Sequence, residues 1–457
     1  MPESNHLGDM VHSVRWSRRA ALLAGGLLVT GCSGYRRPTI QSEDYDSAGS
    51  DKKHLREILE RRAKALMDKD EKGYLADLDQ SNKKLVQHEK LIFDNLRQFD
   101  LAEIRFITER AIENTDDDGD VQFAPVIRIT KFTADAGPGD VAPAETFLYR
   151  LRKKNDKFVV TGIIGATRKN YKKLHLDGPL AYGPWNTDKL HVVKVGKKVW
   201  LVGDKSVTDL DRYAAVTERE LRLVENLWGD RLTYPGYILF FTRDMANLKQ
   251  WFDYGAADDF DPSILGLQWG LLGVQKNGTV YGREYAASRI VVNLKGHQAY
   301  SDPAMTIRHE LTHAVTARAS LTIGGDYTPP TWAIEGFARY TETMGNAASA
   351  ARIRSAVATG VRAGKFRGTT PASKNFYDFG GDIDFNYCLG STVFSLAERL
   401  KGRAAAVELY YRIIQHPDSL DMPFMRLPVF DGISRDVLGM SSDAFRSRWN
   451  TFVRNGG

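Results

Sequence analysis

The chain has 457 residues, of which 42% are apolar and 26% charged. That balance excludes a largely disordered protein and supplies enough apolar material for two or three folded cores. The net charge of +6 gathers in short patches such as RKNYKK (168–173) with no recognition motif, so no nucleic-acid partner is expected, and two cysteines exclude both a disulfide framework and a cysteine-rich zinc module.

Taken in chain order, the first signal is an address. Arg15, Arg18 and Arg19 form a basic cluster, followed by an apolar run of 11 residues from Ala20 to Thr30. The run is too short to span a bilayer as a mature helix but suits the core of a signal peptide. It ends in VTGC, Val29 to Cys32, which resembles the lipobox of bacterial lipoproteins. The resemblance implies cleavage before Cys32 and lipidation of its thiol. The mature protein would then be lipid-anchored on the extracytoplasmic face of the cell membrane. Arg18-Arg19 leaves open whether export is by the general or the twin-arginine route. Residues 33–52, rich in Ser, Gly and Asp, read as a flexible tether.

Leu55, Ile58, Leu59, Leu66, Tyr74, Leu75 and Leu78 recur at helical spacings and predict helix over 53–79, with a second helix over 83–98. Strand patterns follow at 102–113, 121–133, 145–154 and 157–165, separated by the turn signals NTDDDGD and KKND. Helices first and an antiparallel sheet after make an α+β region over 53–176. Its opening resembles the NTF2-like domains, which implies a cone-shaped pocket. No set of polar residues assigns chemistry to such a pocket, so a spacer or docking role is expected. The Gly- and Pro-rich stretch 177–189 breaks the pattern and reads as a linker.

Beyond it the pattern gives a strand (190–203), a helix (207–228), a strand (237–241), a loop-rich stretch (253–268) and a strand (278–294). From Pro303 onward the chain reads as helices. The expected fold class is therefore α+β throughout, the second region combining a small sheet with a mostly helical second half.

The chemistry is concentrated in TIRHELTHAVTARA, residues 306–319. His309 and His313 stand four apart, so on a helix both imidazoles leave one face, one turn apart. Two neutral ring nitrogens at that spacing suit one zinc ion, and Glu310 is placed to take a proton from the water such an ion activates. Chance predicts on the order of 0.01 such matches in a chain of this length. Downstream, TPPTWAIEGFARYTE (328–342) opens a second helix carrying Glu335, 22 positions after His313.

H-E-x-x-H followed by W-x-x-E-G-x-A-x-Y resembles the gluzincin metallopeptidases. The resemblance covers about 190–457, and the tail MSSDAFRSRWNTFV is similar to the closing helix of peptidase-MA-like domains. It implies Zn²⁺ as cofactor, Glu335 as third ligand and a peptide or protein substrate. It also implies an oxyanion donor, for which Tyr387 stands where the aminopeptidase-like members carry a tyrosine. His416 is the only histidine after Glu335 and reads instead as a helix-end residue. Strand 288–294 is expected as an edge that pairs with extended substrate.

Glu342 falls seven residues after Glu335 on the same helix face, either as partner to a ligand histidine or as an exposed carboxylate. Gly336 and Ala338 read as the small residues that let the two ligand helices pack, and Cys388 as a buried core residue. Nothing before His309 matches the G-x-M-E-N segment with which aminopeptidases hold a free amine. An endopeptidase is therefore expected over an aminopeptidase. The competing expectation is a non-catalytic surface binding or scaffold lipoprotein with a vestigial zinc site.

Overall fold

Lys69 takes a left-handed φ of 58° and divides the first expected helix into α1 (Lys52–Met67) and α2 (Glu71–Leu75). Asp70 caps α2 by accepting from the Gly73 amide, and Asn82 caps α3 (Lys83–Leu96) by accepting from the Leu85 amide. The computed structural model describes residues 51–457 apart from 136–140, 156, 177–179, 233, 254–263, 300–302, 321–327, 378–382 and 420–421. The signal segment, Cys32 and the tether up to residue 50 lie outside the described residues.

Five antiparallel strands follow: β1 (Leu101–Ile107), β2 (Ile112–Thr115), β3 (Val121–Phe132), β4 (Ala142–Lys154) and β5 (Lys157–Gly165). β1 and β2 pair with successive halves of β3, because a turn closed by the Ala111 amide on the Thr108 carbonyl splits the single strand expected there. The strand expected over 190–203 is likewise a hairpin, β6 (His191–Val195) and β7 (Val199–Gly203), turning at Gly196 with a φ of 58°. Then come α4 (Ala214–Trp228), β8 (Tyr237–Thr242), α5 (Met245–Gln250), β9 (Gly266–Val274) and β10 (Val280–Asn293). Among the described residues seven α-helices follow: α6 (Ala304–Thr316), α7 (Thr331–Thr341), α8 (Ala347–Arg362), α9 (Ile383–Lys401), α10 (Arg403–Ile413), α11 (Pro428–Leu438) and α12 (Ser442–Arg454). No described helix is long and apolar enough to cross a membrane.

The strands form one sheet of order β1-β3-β4-β9-β10-β8-β7-β6, with β2 added to β3 and β5 to β4. Its two halves join where Ala142 and Pro143 of β4 pair with Val274 and Gly273 of β9. Strand alternation then buries both faces of the second half. Ile290 and Val292 face Ile307 and Leu311 of α6 and Trp332 and Phe337 of α7. Ala287 and Val291 face the other way, into a core shared with Leu66, Phe93, Phe132 and Trp185. Helices α1 and α3 thus help to cover the back of the sheet whose front carries α6.

One buried polar link crosses between the halves, and another holds the segment that connects them. Arg289 of β10 donates to both carboxylate oxygens of Asp135 at 2.6 and 2.8 Å. The Glu145 carboxylate of β4 accepts from the Gly183 amide (2.9 Å), Trp185 Nε1 (3.1 Å), Asn186 Nδ2 (2.5 Å) and Arg128 Nη2 (2.6 Å). The stretch that reads as a linker is therefore packed inside the molecule at Trp185 and Asn186, both buried. Its Gly and Pro serve a tight path: a Cβ on Gly183 would fall 2.1 Å from the Trp185 ring.

Candidate metal centre

Helix α6 forms because Ala304, Ile307, Leu311, Ala314 and Val315 repeat on one buried face. That packing turns His309 and His313 toward α7. Pro330 precedes α7, and the Thr331 amide that opens it donates to Ser373 Oγ at 2.9 Å. At mid-helix Gly336 meets Gly390 of α9 so closely that a Cβ on Gly390 would lie 2.4 Å from the Trp332 carbonyl oxygen. Gly336 therefore serves the α7–α9 crossing and not, as its sequence position suggests, the contact between the two ligand helices.

His309, His313 and Glu335 bring one ligand atom each within 4.8 Å of one another. Glu335 Oε2 lies 3.1 Å from His309 Nε2 and 3.4 Å from His313 Nε2. His309 Nδ1 meets Glu342 Oε1 at 2.9 Å, which leaves Nε2 to face the cluster. Glu342 is buried, and its second oxygen takes Arg339 Nη1 at 3.0 Å and Arg352 Nη2 at 3.5 Å. Its carboxylate is thus buried against His309 and not exposed.

Two nitrogens and one carboxylate oxygen converging on a point, with the outer nitrogen of one histidine tied back, is the donor set of a zinc site with room for water. The residues present fit that ion. The electrostatics agree. Burial works against charge on His309, but the hydrogen bonds it makes to Glu335 and Glu342 and the nearby Glu310 outweigh it and hold its pKa at about 10. Burial alone would raise the Glu335 pKa, yet the two imidazoles push it well below the ordinary carboxylate value.

Glu310 points from α6 toward the start of β9. A Cβ placed on Gly266 would lie 3.0 Å from Glu310 Cγ and 3.1 Å from its Oε1. The edge expected at 288–294 is not an edge: Arg289 to Val292 pair with β8 on one side and β9 on the other. Along Gly266–Leu272 it is β9 that has β10 on one side and, among the described residues, no ladder partner on the other. Among the described residues, the strand beside Glu310 with a free side is thus the neighbouring β9, because the long β9–β10 ladder covers β10.

Tyr387 sits on α9 with its buried ring centroid 5.9 Å from that of His309 and the Arg339 guanidinium 5.4 Å over it. A tyrosine without a sequence signal also reaches the cluster: Tyr377 Oη donates to Glu335 Oε1 at 2.6 Å. Nothing in its surroundings, NFYDFGG, has a spacing that marks it. Cys388 is buried one turn into α9, and among the described residues no contact links His416 to the cluster.

Compared by sequence, the chain matches no protein-family model and no curated protein. Compared by fold, it is similar to solved structures of an M1 zinc metallopeptidase from Deinococcus radiodurans. One shares 11% identity at a TM-score of 0.33 and covers 68% of this chain and 61% of that one. A mutant of that enzyme shares 12% identity at a TM-score of 0.34, covering 68% and 62%. The mutant bound to a Tyr-Ser-Ala substrate shares 12% identity at a TM-score of 0.32, covering 68% and 61%. The match spans less than two thirds of those chains.

Proposed function

We propose that this chain is a zinc-dependent metallopeptidase that hydrolyses internal peptide bonds, carried on the extracytoplasmic face of a bacterial membrane by a lipid on Cys32. The observation that supports it most is the convergence of His309, His313 and Glu335, with Glu310 buried beside β9, which along Gly266–Leu272 has a ladder partner on one side only among the described residues. His309, His313 and Glu335 would hold Zn²⁺, which when bound polarises the scissile carbonyl and lowers the pKa of water. Glu342, with Arg339 behind it, orients the His309 ring.

The remaining steps fall to the chain itself. An extended peptide adds to β9 along Gly266–Leu272 by main-chain hydrogen bonds, which sets its carbonyl over Glu310. Glu310 accepts the proton of the attacking water and delivers it to the leaving amine. A tyrosine hydroxyl donates to the oxyanion. Tyr387 is the donor that resemblance suggests, and Tyr377 is the one whose hydroxyl already reaches the ligand carboxylate. The region before residue 176, three helices on an antiparallel sheet, fits an NTF2-like unit.

The deciding experiment pairs metal analysis with cleavage of a peptide library by wild type and Glu310→Gln. About one zinc per chain in both proteins, with hydrolysis only in wild type, is the expected result. A wild-type protein that takes up no zinc at neutral pH ends the proposal. Zinc binding with no cleavage of any peptide would favour the scaffold lipoprotein instead.

A further inference from the structure

Arg308 precedes the first ligand histidine and lies in none of the roles above. It is 5% exposed, and its guanidinium bonds to α4 and to the end of α7 at once. Nε donates to Glu220 Oε2 of α4 at 2.6 Å. Nη1 donates to the carbonyls of Thr341 (3.1 Å) and Met344 (2.7 Å), and Glu342 O lies 3.5 Å away. Those carbonyls lie at and just beyond the end of α7, where that of Thr341 also accepts the Met344 amide at 3.1 Å. Glu220 is itself completely buried and takes Arg219 on its other oxygen.

We infer that Arg308 is a positioning residue that fixes the axial register of the two ligand helices, and that zinc affinity depends on it. The inference rests on the metal-centre reading above. The geometry explains why register matters. One residue of slip along a helix is about 1.5 Å, whereas metal–ligand distances tolerate about 0.2 Å. His309, next to Arg308 on α6, must meet Glu335 on α7 and Glu342, the residue that caps its C-terminus. Arg308 reaches from α6 to the C-terminal end of α7, beside Glu342. A hydroxyl contact between Thr312 and Thr341 at 3.0 Å ties the same two helices one turn on.

A rigid fork is suited to this work. It holds a carboxylate through one nitrogen and helix-end carbonyls through another at fixed separation, and a lysine ammonium provides no such separation. The positive charge also complements the negative end of the α7 dipole.

The test measures zinc affinity by chelator competition, visible absorption of the cobalt(II) form, and melting of the metal-free protein. Wild type, Arg308→Lys and Leu438→Ala are compared; Leu438 is buried on α11, a helix without ligands. Arg308→Lys is expected to weaken zinc binding about tenfold or more and to change the cobalt spectrum. Leu438→Ala is expected to lower the melting point and leave affinity and spectrum within about twofold of wild type. If Arg308→Lys fails to fold, Glu220→Gln takes its place with the same expected readings, since it removes the charge that aims the guanidinium. Zinc affinity within about twofold of wild type in the Arg308 or Glu220 variant, or an equal loss in Leu438→Ala, overturns the inference. Wild-type protein without zinc overturns the metal-centre reading, and this one with it.

Discussion

Glu342 Oε1 lies 2.9 Å from His309 Nδ1, so the carboxylate seven residues beyond Glu335 decides which nitrogen of His309 looks into the cluster. Removing it frees the ring to turn. Glu342→Ala is expected to weaken zinc binding by about 10- to 100-fold, read by chelator competition. Arg339 keeps Asp384 at 2.8 Å, so the fold is expected to survive.

The raised pKa of His309 gives zinc binding a pH dependence. With a folded value of about 10, the metal-free cluster keeps its proton at neutral pH, and a metal has to displace it. Apparent zinc affinity is therefore expected to rise about tenfold per pH unit between about pH 7 and 9, with one proton released per zinc. Stability of the metal-free protein runs the opposite way. The contribution of His309 is fully present below its unfolded value of 6.5 and is lost as pH rises through about 10. Titrations at several pH values in two buffers of different ionisation enthalpy count the proton directly.

The two tyrosines separate by kinetics. Tyr377→Phe removes a hydroxyl that touches Glu335 and is expected to lower kcat by about 10²-fold or more, with KM little changed. Tyr387→Phe keeps the ring that packs against His309 and is expected to cost less than about tenfold. The reverse order would assign the oxyanion to Tyr387.

Asp135 and Arg289 are both buried and bond through two parallel contacts. Asp135→Ala leaves the guanidinium without its counter-charge and is expected to destabilise the protein by about 3–5 kcal/mol. Because the pair joins the two halves of the sheet, fluorescence and circular dichroism are expected to report one unfolding transition in denaturant.

Much of the candidate site was legible because it is written in local spacing. Four residues on a helix place His309 beside His313 whatever surrounds them, and the glutamate follows on the next helix. Strands also declared themselves, β5 over the very residues its pattern marks. What local spacing does not carry is pairing across distance. Residues 288–294 alternate as any strand does, and only the β9 partner removes them from the edge. Trp185 lies in a Gly- and Pro-rich segment whose composition suits a linker equally well, and its burial depends on Glu145, 40 residues earlier. Tyr377 and Arg308 reach the cluster through contacts spanning 42 and 33 or more residues, with no periodicity to announce them.

The sheet that carries the candidate site has no bare side to spare. A shortened chain starting at residue 190 would keep His309, His313 and Glu335, yet strip the cover from Trp200, Val202, Ile238, Phe240 and Val291. Such a fragment would present a broad greasy plane to water, and plane would meet plane between molecules. Its fate in a test tube is precipitation. Any effort to cut this chain down to a minimal catalyst has to keep α1 and α3, or repaint that plane with polar side chains first.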